Sequence, residues 1–80
     1  MRIDKFLKVS RLIKRRTVAQ EACDAGKVYV NGRSVKPSYV LKLGDVVELR
    51  LGTPISFTVK ALNEKVSKED CQTLYEIQNR

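Results

Sequence analysis

Seven of the first 16 residues are Lys or Arg, and they carry the clearest chemical signal in the sequence. Lysine and arginine bind phosphate oxygens, and the planar arginine guanidinium can also hold two oxygens at once or stack on an exposed base. Arginines just before a helix act together with the positive end of its dipole. The segment therefore predicts a phosphate-binding surface made by Arg2, Lys5, Lys8, Arg11, Lys14, Arg15 and Arg16.

The distribution of charge along the chain also indicates a polyanionic partner. The formal net charge is +7, and residues 51–80 contain four basic and four acidic side chains, so the whole excess lies in residues 1–50. Crowded like charges repel one another and destabilise the compact state, and a polyanion relieves this repulsion. If about five phosphates are neutralised, the log–log slope of affinity against salt is roughly −3.5 to −4.5.

Other roles for a basic segment stay open at this stage. Runs of charge are most often solvated surface, and a basic amphipathic helix can also bind acidic lipid or an acidic protein. A lipid-binding helix would expose bulky apolar residues beside its cations, whereas Phe6, Leu7 and Leu12 are expected in the core. Charge and pattern therefore favour a nucleic acid.

Outside this segment, single basic and aromatic residues are weak signals. Tyr29 and Tyr39 could stack on bases, although strand tyrosines are more often structural. Four cations are expected to be ordinary surface lysines, namely Lys42, Lys60, Lys65 and Lys68.

The sequence lacks the residues that most enzymes need. It has no histidine, its acids are scattered, and its four glycines stand singly at expected turns, so no general base and no phosphate-cradling loop is recognisable. The two cysteines, Cys23 and Cys71, lie 48 positions apart and cannot by themselves make a tetrahedral metal site. We therefore predict a protein without catalytic activity, cofactor, metal or disulfide, and we expect Cys23 in the core.

Two helices are expected at the N-terminus. Apolar or small residues recur at helical spacing at Ile3, Phe6, Leu7 and Ser10. Thr17 and Gln20 match a T-x-x-Q capping box, which predicts a second helix that starts at Thr17 and leaves Gln20 facing water. Gly26 is placed to end that helix in the left-handed conformation. The buried stripe of the second helix is expected to be Val18, Ala19, Ala22 and Cys23.

Alternating hydrophobicity replaces the helical period after the second helix. Asn31-Gly32, the dipeptide typical of a type I′ hairpin turn, separates strands expected at residues 28–30 and 33–35. Later elements are expected as a turn at 42–45, strands at 46–51 and 55–62, a helical turn at 68–71 capped by Ser67, and an edge strand at 73–77. The predicted fold class is α+β, with two N-terminal helices packed on a small, mostly antiparallel sheet.

Length and hydropathy favour one small domain inside the cell. Eighty residues form a single domain with a modest core. No apolar run approaches the roughly 20 residues of a membrane-spanning helix, and the opening MRIDKFLK lacks the apolar stretch of a secretory signal. We therefore expect a cytoplasmic protein that does not contact a membrane.

Residues 2–49 resemble the S4 RNA-binding domain along their whole length. The matching motifs are R-[IL]-D-K-F-L at Arg2–Leu7, a basic turn before T-x-A at Thr17–Ala19, G-x-V-x-V-N-G at Gly26–Gly32, and L-x-x-G-D at Leu41–Asp45. The resemblance implies an S4-like (alpha-L) fold, with an S4 domain at 1–60 and a short C-terminal extension at 61–80 packed on the same domain. The opening RIDKFLKVSRLIKRRT and the tail ending in LYEI look most like the stand-alone RqcP family.

The RqcP resemblance implies an accessory role in ribosome-associated quality control. Members bind a large ribosomal subunit obstructed by peptidyl-tRNA, contact large-subunit rRNA and the tRNA, and work with RqcH in adding a C-terminal alanine tail. The implied RNA contacts are the basic residues named above, with Lys8 the weakest match, and Asp4 is expected to orient its basic neighbours or cap the first helix. The protein is expected to be monomeric when free.

Three alternatives remain open beside this expectation. The first is the heat-shock type of S4 protein, which acts on a similar obstructed subunit and usually has a long basic C-terminal extension. The second is an RNA-binding module of ribosome assembly, and the third, from another class, is a protein-binding adaptor.

Overall fold

The computed structural model describes residues 1–63, 67 and 69–77. The chain begins with two helices. Helix α1 spans Ile3–Val9 and helix α2 spans Arg16–Asp24. The spacing of apolar residues explains α1, because Ile3, Phe6 and Leu7 are all fully buried. Gly26 follows α2 with a φ of 72°, so the predicted left-handed turn after this helix is confirmed.

A five-stranded antiparallel sheet is formed by the described residues that follow the helices. Its strands are β1 (Val28–Val30), β2 (Arg33–Ser34), β3 (Val46–Leu49), β4 (Ile55–Val59) and β5 (Tyr75–Ile77), in the spatial order β2-β1-β3-β4-β5. Asn31 and Gly32, with φ of 53° and 86°, make the predicted hairpin turn between β1 and β2. The predicted α+β class and helix–sheet arrangement are confirmed.

Four strands are shorter than the sequence predicted, namely β2, β3, β4 and β5. For β3 and β4 the backbone pairing shows where the strand ends. Strand β3 stops at Leu49, which lies opposite Val28, the first residue of β1. Strand β4 stops at Val59, since the next two backbone N–H groups, of Lys60 and Ala61, both bond to the carbonyl of Leu74. Hydrophobic alternation continues past both points, but the regular strand pairing does not. Past Leu49, the Arg50 N–H still bonds to the Lys27 carbonyl at 2.8 Å without extending the strand.

The chain after β4 returns to the sheet through a 3-10 turn at Cys71–Leu74. The predicted turn at Ser67 is present, since the Ser67 hydroxyl donates to the Asp70 carboxylate at 3.0 Å and accepts from the Asp70 N–H at 3.3 Å. The helical turn nevertheless begins at Cys71 instead of Lys68, which lies outside the described residues. The division of the chain at residue 60 stays a prediction, and the full burial of Leu74 favours an extension that packs on the same domain.

Aromatic side chains join α1 to the sheet. The ring of Phe6 stacks on Phe57 of β4 with centroids 6.0 Å apart, and Tyr75 of β5 meets Phe57 edge-on at 5.6 Å. Cys23 lies in the same core, as predicted, and its thiol is free. None of the helices in the described part of the chain is long and apolar enough to cross a membrane.

Candidate nucleic-acid interface

A buried carboxylate lies at the centre of the basic segment. The Asp4 side chain is fully buried. Its Oδ2 accepts hydrogen bonds from Gln20 Nε2 at 2.9 Å, from Arg16 Nε at 3.1 Å and from Arg2 Nη2 at 3.4 Å. Its Oδ1 accepts from the Lys5 backbone N–H at 2.8 Å and from Arg16 Nη2 at 3.4 Å. We call Asp4, Arg2, Arg16 and Gln20 the Asp4 cluster.

The Asp4 carboxylate is ionised in spite of its burial. Burial alone would raise the pKa of Asp4, because a charged group loses its hydration in the protein interior. Hydrogen bonds from Gln20, Arg16 and the Lys5 backbone, together with the positive charge of Arg16, more than offset that effect and hold the pKa of Asp4 below its ordinary value of 3.8. Asp4 is therefore a permanent negative charge at neutral pH that holds donors in place.

The Asp4 cluster joins the starts of both helices and orients two arginines. Asp4 lies in the first turn of α1, while Arg16 and Gln20 lie in the first two turns of α2. The side chains of Arg2 and Arg16 remain 48% and 40% exposed. Each guanidinium thus contacts Asp4 along one edge and keeps other N–H groups accessible to a phosphate. The prediction that Asp4 orients its basic neighbours is confirmed by these contacts.

The capping box that the sequence predicted for α2 is wrong. Helix α2 starts at Arg16, its N-cap residue Arg15 makes no side-chain cap hydrogen bond, and Thr17 is exposed. The Gln20 amide bonds to Asp4 and is half-buried, instead of facing water. A missing cap costs about 1 kcal/mol, whereas a lost hydrogen bond to a charged group costs about 1.5–3 kcal/mol. Gln20 therefore points toward Asp4, because the buried carboxylate needs hydrogen-bond donors more than the helix needs a cap.

The predicted buried stripe of α2 needs one correction. Val18 is 43% exposed, although the sequence pattern placed it in the core. The buried residues of α2 are Ala19, Ala22 and Cys23. Core contacts of α2 thus begin at Ala19, and the first turn of the helix lies at the surface beside the arginines.

Four of the five other predicted cations are held less firmly. Lys5 is half-buried, and the exposed ones are Lys8, Arg11, Lys14 and Arg15. Within the described residues, no hydrogen bond or ion pair holds the side chains of these four exposed residues. Arg11 has a φ of 63°, a left-handed conformation that is uncommon for residues other than glycine. Arg11 thus places a charged side chain at a position where glycine would be less strained.

The structure places six of the seven predicted cations in two groups, and Lys5 lies between the groups on α1. The first contains Arg2 and Arg16, joined through Asp4, with Lys14 and Arg15 directly before Arg16 in the chain. The second lies at the other end of α1, where the Arg11 N–H donates to the Lys8 carbonyl at 3.0 Å. The two ends of this seven-residue helix are about 10 Å apart. We call the seven cations together the basic surface.

Outside the basic surface, several weak signals have structural explanations. The Arg50 guanidinium lies 4.2 Å from the centre of the Tyr29 ring, so one face of that ring is already covered. Lys42 and Lys60 are exposed, and Lys60 Nζ lies 3.2 Å from a Glu76 carboxylate oxygen. Lys65, like Lys68, lies outside the described residues.

The Cys23 thiol is not activated, and the described residues form no metal-binding cluster. Burial raises the pKa of the Cys23 thiol to about 11, and the negative charges of Asp4 and Asp24 act in the same direction. A thiol with that pKa stays protonated at neutral pH and is a poor nucleophile. No group of three His, Cys, Asp or Glu side chains within the described residues could hold a metal ion.

Sequence reasoning missed Gln20 as a member of the interface. The T-x-x-Q pattern at Thr17 accounts locally for a glutamine at position 20, and the sequence does not show that Asp4 is buried and bonds to it. It also passed over Arg33 and Lys36, which are exposed and line the same groove beside the β1–β2 hairpin. No feature of the sequence distinguishes these two cations from other surface residues.

Comparison with known proteins agrees with this geometry. The S4 domain family matches residues 1–47, which contain both helices, the β1–β2 hairpin and the whole basic surface. The chain belongs to the S4 domain family. Two relatives are named RQC P-site tRNA stabilizing factor. The chain is 49% identical to that of Halalkalibacterium halodurans over 78 residues and 53% identical to that of Streptococcus pneumoniae over 79, covering 96% of this chain and 89% of each relative.

A solved structure gives the same result for the fold. The trimeric heat shock protein 15 of Vibrio cholerae superimposes with a TM-score of 0.90 at 26% sequence identity, covering 98% of this chain and 81% of that chain. The expected S4-like fold, the RqcP resemblance and the relation to the heat-shock S4 protein are therefore all confirmed.

Proposed function

We propose that this S4 family member is an RNA-binding accessory factor of ribosome-associated quality control. It binds the obstructed large ribosomal subunit, contacts large-subunit rRNA and peptidyl-tRNA through the basic surface, and supports the RqcH-dependent addition of C-terminal alanine tails. The observation that carries the proposal is the Asp4 cluster, a buried carboxylate that holds two half-exposed arginines where the helices start. The name of relatives 49% and 53% identical to the chain, which refers to P-site tRNA, supports the same target.

The proposed mechanism is positional and involves no catalytic step or cofactor. Asp4 already restricts the rotamers of Arg2 and Arg16, so these side chains lose little further entropy when they bind a phosphate. Ordering a free, long side chain at an interface costs about 0.5–1.5 kcal/mol. The basic surface thus bridges rRNA and tRNA and keeps the tRNA in a position from which its peptide can be extended. We place this activity in the cytoplasm, with the free protein monomeric.

The test is sucrose-gradient sedimentation of the tagged protein from cells, with probes for large-subunit RNA and peptidyl-tRNA in each fraction. Arg15→Ala is the informative variant, because Arg15 is exposed and its side chain makes no hydrogen bond or ion pair with another described residue. Lys27→Ala is the matched control, since it removes one equally exposed positive charge beyond the other end of α2. We expect the wild type and Lys27→Ala on tRNA-obstructed large subunits, and Arg15→Ala nearer the top of the gradient.

The outcomes of this experiment separate the alternatives. A wild type that stays at the top, or binds empty subunits equally well, contradicts the quality-control role and favours an RNA-binding module of ribosome assembly. A complex that survives nuclease treatment favours a protein-binding adaptor. Light scattering of the purified protein tests the monomeric state, and a trimer, the form in which heat shock protein 15 of Vibrio cholerae was solved, would contradict it.

A second candidate is the heat-shock type of S4 function, which the TM-score of 0.90 to heat shock protein 15 favours. The two candidates differ in their consequence for the nascent chain. If the quality-control role is correct, deleting the gene removes alanine tails from stalled chains. If the heat-shock role is correct, alanine tails persist and obstructed subunits accumulate.

A further inference from the structure

An open groove lies beside the β1–β2 hairpin, outside the basic surface. Its volume is about 750 Å³, within the range of roughly 300–1,000 Å³ that is usual for small-ligand sites. One wall is the hairpin, with Arg33 and Ser34, and the other is the following loop, with Lys36, Ser38 and Tyr39. None of the residues that line it in the described structure is acidic. The groove thus combines two cations, two serine hydroxyls and the phenol ring of a tyrosine.

The groove adjoins the Asp4 cluster through backbone hydrogen bonds. The N–H of Ile3 donates to the Tyr39 carbonyl at 2.7 Å, and the N–H of Asp4 donates to the Pro37 carbonyl at 3.4 Å. Arg2 also pairs with Val40 as an isolated β-bridge. The loop that forms one wall of the groove is therefore fastened to the start of α1, beside Arg2. The groove therefore adjoins the Arg2 end of the basic surface.

The chemistry of the lining fits a nucleotide better than an apolar peptide or a lipid. Unpaired bases in RNA complexes stack on aromatic side chains, and their phosphates are held by arginine and lysine. Tyr39 packs against the core and also lines the groove, so its ring is held in place. Arg33 and Lys36 are exposed at the groove, and their side chains make no hydrogen bond or ion pair with another described residue. Serine hydroxyls can bond to a 2′-OH or to a base edge.

We propose that this groove receives one unpaired nucleotide of the RNA that lies on the basic surface. The base lies against Tyr39, and its phosphate lies near Arg33 and Lys36. The inference rests on the proposed function in one respect, since the basic surface must first hold the RNA. The basic surface binds the phosphate backbone of any RNA helix. The groove makes the chain prefer RNA that has an unpaired nucleotide next to such a helix.

The test compares two probes, a blunt-ended RNA duplex and the same duplex with one bulged 2-aminopurine nucleotide. Fluorescence anisotropy gives the Kd for each, and 2-aminopurine emission reports stacking of the bulged base. Base–aromatic stacking corresponds to an affinity change of about 5- to 150-fold. We expect the wild type to prefer the bulged duplex by a factor in this range and to quench the emission.

Substitutions in the groove then locate the base. Tyr39→Leu keeps an apolar side chain for the core but cannot stack, so it should lose the preference while its Kd for the paired duplex is unchanged. Tyr39→Phe should keep the preference. Arg33→Gln with Lys36→Gln changes only exposed residues, so it tests the groove even if Tyr39→Leu does not fold. Its charge-matched control is Lys27→Gln with Lys60→Gln, which removes the same charge away from the groove. The Lys60–Glu76 ion pair that this control breaks is exposed on both sides.

The outcomes separate this inference from the proposed function. If the paired duplex binds with steep salt dependence but the bulge adds no affinity, or if Tyr39→Leu and the double variant both keep the preference, the groove inference is overturned and the basic surface stands. If neither duplex binds, the basic surface has failed as an RNA site and the groove inference falls with it.

Discussion

Arg15 and Arg16 are adjacent cations with the same side chain, and the structure assigns them different roles. Arg16 donates two hydrogen bonds to the fully buried Asp4, at 3.1 and 3.4 Å, whereas the Arg15 side chain is exposed. Arg16→Ala leaves the Asp4 carboxylate with Gln20, the Lys5 backbone and a long contact to Arg2. Losing a hydrogen bond to a charged group costs about 1.5–3 kcal/mol.

The partial exposure of Arg16 places the expected loss near the middle of that range. With a side chain that is 40% exposed, solvent screens part of the interaction. We expect Arg16→Ala to lower the free energy of unfolding by about 2 kcal/mol, which corresponds to a Tm lower by about 8–16 °C for a domain of this size. Arg15→Ala should change the free energy of unfolding by less than about 0.5 kcal/mol.

Urea denaturation followed by circular dichroism measures both values, and a salt titration of RNA binding completes the comparison. Arg15→Ala should reduce the log–log salt slope by about 0.7–0.9 while leaving stability unchanged. A double-mutant cycle of Asp4→Asn with Arg16→Ala should give a coupling energy of about 1–2 kcal/mol. Equal stability of the two arginine variants, or a coupling energy near zero, would refute the assignment of Arg16 to the Asp4 cluster.

Three other side chains can each be tested by a single substitution. The pKa of Asp4 is lowered in the folded state, so Asp4 contributes stability above its ordinary, unfolded-state pKa of 3.8. That contribution is lost as pH falls through the lower folded pKa. Urea titrations from neutral to strongly acidic pH should therefore show a shallower loss of stability for Asp4→Asn than for wild type, and parallel curves would contradict this. Arg11→Gly relieves a left-handed φ of 63° and should stabilise the fold by about 0.5–1 kcal/mol while weakening RNA binding, so a destabilised variant would argue against strain there. Phe57→Ala removes the ring between Phe6 and Tyr75 and should cost about 3–5 kcal/mol in thermal or urea unfolding, and a loss below about 1 kcal/mol would contradict its central place in the core.

Local rules account well for the elements of this fold. The hairpin at Asn31-Gly32 and the turn after α2 at Gly26 depend on which residues tolerate a positive φ, a property of single residues and their neighbours. The inner face of α1 follows from apolar spacing alone. The candidate cations were also recognisable from the sequence, because Lys and Arg are charged in any surface environment.

Interactions between distant residues decided the arrangement of the interface. The sequence pattern assigned Gln20 to a cap and Val18 to the core, but the buried charge of Asp4 draws Gln20 inward and Val18 lies at the surface. Asp4 and Arg16 are 12 positions apart, and their contact exists only because α1 and α2 pack side by side. The groove between the hairpin and the 36–39 loop likewise depends on tertiary packing. Residue types and local spacing determine which charges and turns a chain carries, whereas burial, which makes one carboxylate demand partners from another helix, arises only when the whole chain is folded.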